Sequence, residues 1–275
     1  MTASDWGRWL LDRIESADPD GVAVWYLGCN GFVLKADDGT TVFIDPYLGT
    51  GNPPRTVRMI PVPFSPEDVS EADAVFGSHE HLDHVHGPSQ GPILANTGAD
   101  FYASDASHDV VAEEDWTGEY GVDDDQLYEI AEGDTVGVGA FTVHVEPAND
   151  PDAIHPVSTV FEHDAGTFFH GGDARPGEFE SVGEAYDIDL GALAFGAVGN
   201  VDEPEASERV RTKWYSDENQ VIEAANELQI DRLLPSHWDM WKGLTTEPTV
   251  LHNHAAGFPY PERLEIVEIG DRVDL

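Results

Sequence analysis

The stretch from Ser78 to His84 constrains this chain more than any other part of its sequence. It reads Ser-His-Glu-His-Leu-Asp-His, which puts three imidazoles and one aspartate within six positions in an H-x-H-x-D-H pattern. The preceding apolar run, Ala74–Gly77, predicts a buried strand. Imidazole nitrogen and carboxylate oxygen are common ligands of divalent cations. Because these side chains directly follow a strand, they predict a metal site at the edge of a sheet. A loop that is merely rich in histidine is the weaker interpretation.

Further strands are predicted in the first half of the chain from runs of apolar and β-branched residues. They cover 22–27, 31–35, Thr41–Ile44, 93–94 and 101–103. A hairpin turn at 37–40 joins the second and third of these strands and has Gly39 where a positive φ is needed. The loop over 46–66 is rich in proline and glycine and too long for a simple connection, so we expect it to flank a site.

The second half of the chain repeats this layout of strands with helices between them. Its predicted strands cover Thr135–Val138, 141–145, 159–162, 167–170, 190–195 and 232–235. A helix is predicted over 216–228, with Ser216 as its N-cap. No low-complexity linker separates the two halves. We therefore predict one domain over residues 1–275, built from two similar lobes.

Two more ligand-type residues stand at the ends of predicted strands. Asp173 follows the strand at 167–170 and two glycines, which let the backbone bring its carboxylate close to another element. His237 follows the strand at 232–235. Alone, Asp173 is equally well explained as a turn residue and His237 as a packed histidine. Together with the histidine cluster, they indicate three strands that deliver ligands to one metal centre.

The charge of the chain is strongly acidic and evenly distributed. There are 54 aspartates and glutamates against 13 lysines and arginines, which gives a formal net charge of -41. At about 1 M salt the Debye length falls to about 3 Å and the resulting self-repulsion is screened. The composition therefore predicts the salt-rich cytoplasm of a halophile; the alternative is an ordinary acidic protein with a basic partner. The lack of a basic surface argues against nucleic acid or an anionic membrane as a partner.

Targeting and redox signals are sparse. Cys29 is the one cysteine in the sequence, which excludes an intramolecular disulfide and a zinc site built from several cysteines. The N-terminus has no basic start followed by an apolar stretch, so no signal peptide is expected. No run approaches the roughly 20 apolar residues of a membrane span. We therefore expect a soluble cytoplasmic protein that acts on a small molecule and is compatible with a homo-oligomer.

The candidate ligands occur in an order that resembles a known superfamily. The H-x-H-x-D-H motif, the later Asp173 and the late His237 resemble the metallo-β-lactamase superfamily. Over about residues 6–245, five segments resemble its L-ascorbate-6-phosphate lactonase family. These segments are 6–10 (WGRWL), 25–31 (WYLGCNG), 49–51 (GTG), 170–173 (HGGD) and 236–241 (SHWDMW). The resemblance implies a mixed α/β (α+β) fold, the four-layer αββα sandwich of metallo-β-lactamases, with the active site at one edge of the two sheets.

The resemblance also implies a role for each candidate ligand. By position, His79 and His81 would hold a first ion. Asp83, His84 and His237 would hold a second ion, and Asp173 would bridge the two ions. One or two ions of zinc or manganese, or of iron, suit this set of nitrogen and oxygen ligands. If the second site is empty, Asp83 or His84 could instead orient the attacking water, which makes them the predicted catalytic residues.

The third protein ligand of the first ion departs from the superfamily pattern. Many members carry a further histidine at the end of the strand that corresponds to 141–145, whereas this chain continues there as Glu-Pro-Ala-Asn-Asp. Asp150 is the first candidate to replace that histidine, and His155 is the second. His86 and His170 are candidates for orienting a ligand through a hydrogen bond.

The implied reaction is attack of metal-bound hydroxide on a lactone or related ester, including a sugar-phosphate lactone. Because such a substrate is anionic, Arg175 and Arg58 are predicted to bind it. Arg55, Lys213 and Lys242 are further options, and a surface salt bridge is the alternative for each of these basic residues. The sequence has no G-x-S-x-G motif, which argues against a serine hydrolase. Two alternatives stay open: a phosphodiesterase or nuclease-type metallohydrolase, and a non-hydrolytic metal-binding redox or sensor module.

Overall fold

Short strands make up most of the regular structure of this protein. The structure is a computed structural model that describes residues 4–177, 179–202 and 208–275. In chain order the strands are β1 (Val22–Gly28), β2 (Gly31–Ala36), β3 (Thr41–Ile44), β4 (Ala74–Gly77), β5 (Asp100–Ala103), β6 (Leu127–Glu129), β7 (Thr135–Val138), β8 (Phe141–Pro147), β9 (Val157–His163), β10 (Gly166–His170), β11 (Leu190–Ala194), β12 (Val198–Val201), β13 (Val210–Lys213), β14 (Arg232–Ser236), β15 (Arg263–Leu264) and β16 (Arg272–Asp274).

Within the described ranges these strands pair into two seven-stranded sheets and one small sheet. The first sheet has the order β16-β1-β2-β3-β4-β5-β6, and the second has the order β15-β14-β11-β10-β9-β8-β7. In the first sheet β1 to β3 are antiparallel neighbours, and β3 to β6 are parallel. In the second sheet β7 to β10 are antiparallel, and β10, β11, β14 and β15 are parallel. Strands β12 and β13 form the small sheet.

The helices are short and connect the strands. They are α1 (Trp9–Glu15), α2 (Gly87–Thr97), α3 (Asp105–Glu113), α4 (Trp116–Tyr120), α5 (Glu180–Ala185), α6 (Glu218–Glu227) and α7 (Leu251–Ala255). Single 3-10 turns cover Pro66–Asp68, Asp124–Gln126 and Pro248–Val250. In the part of the chain that the structure describes, no helix has the length and apolar composition of a membrane span.

Alternation along β1 shows that the first sheet is covered on both faces. Val24 and Tyr26 point into the core between the sheets. Ala23, Trp25 and Leu27 lie on the other face of the strand, in the core formed with α1 to α4. A strand that is buried on both faces is apolar at almost every position, as this one is.

Aromatic side chains from both sheets meet in the central core. The Phe76 and Phe161 rings lie 5.2 Å apart, and those of Phe32 and Phe168 lie 5.6 Å apart. A third core, formed between the second sheet and α5 to α7, completes the layers. The predicted αββα sandwich is thereby confirmed.

Two local predictions were wrong. Ile93 and Leu94, predicted as a strand, lie in α2, because a run of two apolar residues carries no periodicity that separates strand from helix. The helix predicted over 216–228 is Glu218–Glu227, and its N-cap is Asp217, not Ser216. The Asp217 carboxylate accepts hydrogen bonds from the backbone N–H groups of Asn219 and Gln220.

Candidate metal centre

Loops that leave the carboxyl ends of β4, β10 and β14 meet at one edge of the sandwich. They carry the H-x-H-x-D-H segment, Asp173 and His237, in that order. The loop after β8 adds Asp150, and the turn between β1 and β2 adds Cys29. Parallel strands end at the same edge of their sheet, which is why segments that are distant in sequence deliver side chains to one place.

The first cluster contains His79, His81, Asp150 and Asp173, each of which offers one atom within 4.8 Å of the others. His79 Nε2 lies 3.0 Å from His81 Nδ1, 3.7 Å from an Asp150 oxygen and 3.9 Å from an Asp173 oxygen. Zinc bonds of about 2.0–2.1 Å to nitrogen and oxygen correspond to ligand separations of about 3.3 Å in a tetrahedron. The cluster therefore has nearly the dimensions of a coordination shell.

The second cluster contains His84, Asp173 and His237, again within 4.8 Å of one another. Asp173 Oδ2 lies 3.3 Å from His84 Nε2, and its Oδ1 lies 3.8 Å from His237 Nε2. Asp83 Oδ2 lies 3.1 Å from His237 Nε2. Asp173 thus belongs to both clusters and lies between them.

Hydrogen bonds behind the imidazoles orient them toward the centre. Buried Asp45 accepts from His84 Nδ1 at 2.6 Å and from the Ser78 hydroxyl at 2.6 Å. The same hydroxyl accepts from His79 Nδ1 at 2.9 Å. His81 Nε2 donates to the backbone carbonyl of Asp152 at 3.1 Å. In this arrangement the remaining nitrogen of each ring faces the clusters.

The centre has more buried polar atoms than protein partners for them. Among the described residues, His84 Nε2, Asp150 Oδ2 and Asp173 Oδ1 are buried and have no hydrogen-bond partner. Buried polar atoms are normally paired. A divalent cation held by these atoms would satisfy all three, so the residues present fit a metal.

The electrostatics of the centre also favour a cation. Burial and the neighbouring Asp173 carboxylate raise the pKa of Asp150 to about 6. Burial lowers the pKa of His84, but the carboxylates of Asp173 and Asp45 outweigh burial and raise that pKa well above its usual value. Carboxylates crowded around buried imidazoles are costly without a positive charge between them.

Backbone conformation at the centre is unusual. Cys29, Asp45 and His237 have φ values of 59°, 43° and 66°, although none is glycine. Such conformations are uncommon and concentrate at functional sites. Gly172 has a φ of +55°, and a Cβ there would lie 3.1 Å from the side chain of Ser78. As expected from the sequence, this glycine lets the turn before Asp173 approach the histidine segment closely.

The structure distinguishes between Asp150 and His155, the two candidates for the third protein ligand of the first ion. Asp150 is buried in the first cluster. His155 is exposed and pairs with exposed Asp105 at 2.8 Å. His86 hydrogen-bonds to Ser89, outside the clusters.

Arg58 and Arg175, which are predicted to bind substrate, both donate hydrogen bonds to protein atoms in the structure. Arg58 is half-buried and donates to four backbone carbonyls, those of Tyr47, Gly49, Ile60 and Pro61. It therefore supports the loop after β3, because its donors are turned to the backbone. Arg175 donates to the Asp152 carboxylate at 2.9 Å and to the Trp214 carbonyl at 3.0 Å. Arg175 thus holds two parts of the cleft wall together.

Sequence reasoning missed three residues at the centre. Asp45 directly follows β3, so the strand-end rule that selected the other ligands would have found it. Cys29 lies in a turn, with its Sγ 3.2 Å from His237 Nε2. The Tyr215 ring stacks on the His237 ring at 3.9 Å between centroids. Cys29 lies in the segment 25–31 that carries the family resemblance, but nothing local indicates that Cys29 or Tyr215 lies near His237, because that proximity arises only from packing.

A cleft of about 550 Å³ opens over the clusters, and its floor includes His81, Asp83, Asp150 and Asp173. Its walls come from the loop over 46–66, from Trp241, and from the end of the small sheet and the two residues after it. The long loop, which is predicted to flank a site, thus contributes Asn52, Arg55 and Thr56 to this cleft. The volume is in the range of small-molecule sites.

Comparison with known proteins agrees with this fold. Residues 40–238 match the family model described as "Beta-lactamase superfamily domain". The chain is 25% identical to a protein named "Probable L-ascorbate-6-phosphate lactonase" from Salmonella gallinarum, over 90% of this chain and 78% of that protein.

Two solved structures have the same fold. A novel metallo hydrolase from Ignicoccus hospitalis has a TM-score of 0.66 and 19% identity, and the match covers 92% of this chain and 97% of the other. A possible metal-dependent hydrolase from Veillonella parvula has a TM-score of 0.69 and 16% identity, covering 93% and 99%. The family match spans most of the chain, so this protein belongs to the beta-lactamase superfamily and has the fold of its metal-dependent hydrolases.

Proposed function

We propose that this protein is a metal-dependent hydrolase that opens a lactone or a related ester with an anionic group, such as a sugar-phosphate lactone. The observation that carries the proposal is the set of unpaired, buried ligand atoms at the floor of a cleft of small-molecule size. The lactonase named among the relatives supports the choice of substrate class, at 25% identity.

In this proposal the two clusters hold one or two divalent ions of zinc, manganese or iron. The first ion is held by His79, His81 and Asp150, the bridge is made by Asp173, and the second ion is held by Asp83, His84 and His237. When bound, such an ion lowers the pKa of water to about 7 and polarises a carbonyl oxygen.

The chain's own residues position the reacting groups. Burial by itself raises the pKa of Asp83, but the hydrogen bond from His237 and the nearby His84 lower it overall. Asp83 is therefore a carboxylate that lines the cleft, and with the second site empty it can accept a hydrogen bond from the attacking water. Asp45 keeps the His84 ring in one orientation, and the stacked Tyr215 ring does so for His237.

Basic residues in the cleft support an anionic substrate. Arg55 and Lys213 both line it, in a chain with 13 basic residues. The Arg55 guanidinium lies over the Trp214 ring, 5.4 Å from its centroid, and Lys213 Nζ lies 2.5 Å from Asp217. These two cations stand on the wall of the cleft, so an anionic group bound to them would extend away from the acidic floor.

The test is a metal analysis by mass spectrometry followed by hydrolysis assays in molar potassium chloride. We expect bound divalent metal and turnover of lactones, including phosphorylated sugar lactones, that a chelator abolishes and added metal restores. The variant H79A should lose metal and activity, whereas H155A, which changes an exposed histidine outside the clusters, should keep both. Turnover of phosphodiesters without lactones, or bound iron without any ester hydrolysis, would contradict the proposal.

A further inference from the structure

The thiol of Cys29 lies against the second cluster, and the proposed function does not use it. Its side chain is fully buried. Sγ lies 3.2 Å from His237 Nε2 and 3.8 Å from Asp83 Oδ2. One atom from each of these three residues lies within 4.8 Å of the others.

These separations match a metal coordination shell. Zinc bonds of about 2.3 Å to sulfur and about 2.0 Å to nitrogen or oxygen place sulfur about 3.5 Å from the other ligands and nitrogen about 3.3 Å from oxygen. The corresponding distances around Cys29, Asp83 and His237 are 3.2, 3.8 and 3.1 Å. Only shifts of a few tenths of an ångström separate the three atoms from a common tetrahedron.

A second observation points to a ligand at the same place. In the described part of the chain, Asp173 Oδ1 and His84 Nε2 are without hydrogen-bond partners. Asp173 Oδ1 lies 3.8 Å from His237 Nε2, and His84 Nε2 lies 4.0 Å from Asp83 Oδ2. Both side chains are more than nine-tenths buried and border the atoms that Cys29 approaches.

The backbone holds Cys29 in this position. Its carbonyl oxygen accepts a hydrogen bond from the His237 backbone N–H at 2.8 Å and another from the Tyr26 hydroxyl at 2.9 Å. The turn between β1 and β2 is thereby fastened to the residue after β14. A ligand that is fixed before the metal binds loses little freedom on coordination.

We propose that Cys29 is a sulfur ligand of the second ion, together with His237 and Asp83. The inference rests on the proposed function and deepens it, because it changes which metal that site selects. Coordination replaces the thiol proton, which is released to solvent, by the metal ion. Thiolate is a soft ligand that favours zinc, cobalt or iron over manganese or magnesium, so the second site should be the more selective one.

Cobalt substitution tests this directly. The full-length protein in molar potassium chloride is titrated with Co²⁺ and its absorption recorded. Because Cys29 is the single cysteine, a near-ultraviolet thiolate-to-cobalt charge-transfer band reports on this residue alone. We expect the band in the wild type and its loss in C29S. Loss of a residue that only orients a ligand lowers metal affinity about 10–100-fold. Loss of a direct ligand should cost at least as much, so C29S should bind one equivalent of Co²⁺ at least tenfold more weakly.

A matched control tests whether the thioether sulfur of a nearby methionine produces the band. Met240 is buried in the same packing cluster as Cys29, and M240L should keep the band. X-ray absorption of the zinc form should contain a sulfur neighbour at about 2.3 Å. Bound cobalt without the band in the wild type overturns the inference and leaves the proposed function standing. Failure to bind any metal overturns both. The wild-type spectrum decides even if C29S does not fold.

Discussion

At the scale of single residues, buried Asp45 fixes the orientation of the His84 ring at the metal centre. Asp45 accepts hydrogen bonds from His84 Nδ1 and from both the backbone and the hydroxyl of Ser78. Burial raises the pKa of Asp45, but the charge and hydrogen bond of His84 lower it overall. The anionic form of Asp45 therefore keeps the other nitrogen of His84 directed at the clusters.

Replacing Asp45 by asparagine should reduce metal affinity about 10–100-fold, because the amide holds the imidazole less firmly than the carboxylate does. Affinity would be measured by competition with a chelator of known strength. D105N is the matched control, since Asp105 also accepts a hydrogen bond from a histidine, but on the surface and outside the clusters. Equal metal affinity in D45N and D105N would contradict this prediction.

Arg55 makes a second prediction at the same scale. R55A should raise KM for a phosphorylated lactone about 10–100-fold, the equivalent of one lost charge-assisted hydrogen bond, and leave KM for a neutral lactone unchanged. R13A is the matched control, because Arg13 also lies over a tryptophan ring, that of Trp9, at 4.9 Å. An equal effect of R55A on both substrates would mean that Arg55 supports the fold instead of binding the anion.

At the scale of elements, the turn after β10 determines where Asp173 lies. Gly172 adopts a positive φ, and the Ser78 side chain occupies the space that a Cβ would need. The turn thus joins the second sheet to the histidine segment of the first sheet, and the two clusters depend on this contact.

Substituting Gly172 by alanine should lower the free energy of unfolding by about 1–2 kcal/mol from the left-handed backbone alone. It should also reduce metal content, since the new methyl group displaces Asp173 from the clusters. Urea unfolding and metal analysis would measure the two effects. G98A is the control, because Gly98 has a φ of +73° and, among the described residues, no atom within 4 Å of its Cβ position. G98A should lose stability and keep its metal; metal retention in both variants would refute the argument.

At the scale of the whole molecule, the net charge of -41 dominates behaviour in solution. Self-repulsion of this size opposes the compact state until salt screens it. The charge also explains why the few basic residues that line the cleft are informative about its substrate.

The melting temperature should therefore rise as potassium chloride increases from about 0.1 M, where the Debye length is about 10 Å, to about 1 M, where it is about 3 Å. Thermal unfolding followed by circular dichroism would measure this. Sucrose is the control, since it favours compact states by exclusion and does not screen charge. A melting temperature that responds to sucrose but not to salt would exclude charge repulsion as the main factor that destabilises the folded protein at low salt.

The predictions that succeeded are those whose information lies within a short stretch of the chain. The sandwich followed from strand signals and a family resemblance, and the histidine segment from its spacing, because both lie within short stretches of sequence. The strand at 93–94 and the N-cap at Ser216 were wrong because one or two residues carry too little local information to decide between neighbouring alternatives.

The sequence alone determines the ligand-type residues and the strands that they follow, since spacing along a strand or turn is a local property of the backbone. Only the tertiary structure decided that Asp150 and not His155 joins the first cluster, that Arg58 turns to the backbone, and that Cys29 reaches His237. Cys29 and His237 are 208 positions apart. Contacts across such a separation depend on how two sheets pack against each other, and no single segment of the chain encodes that packing.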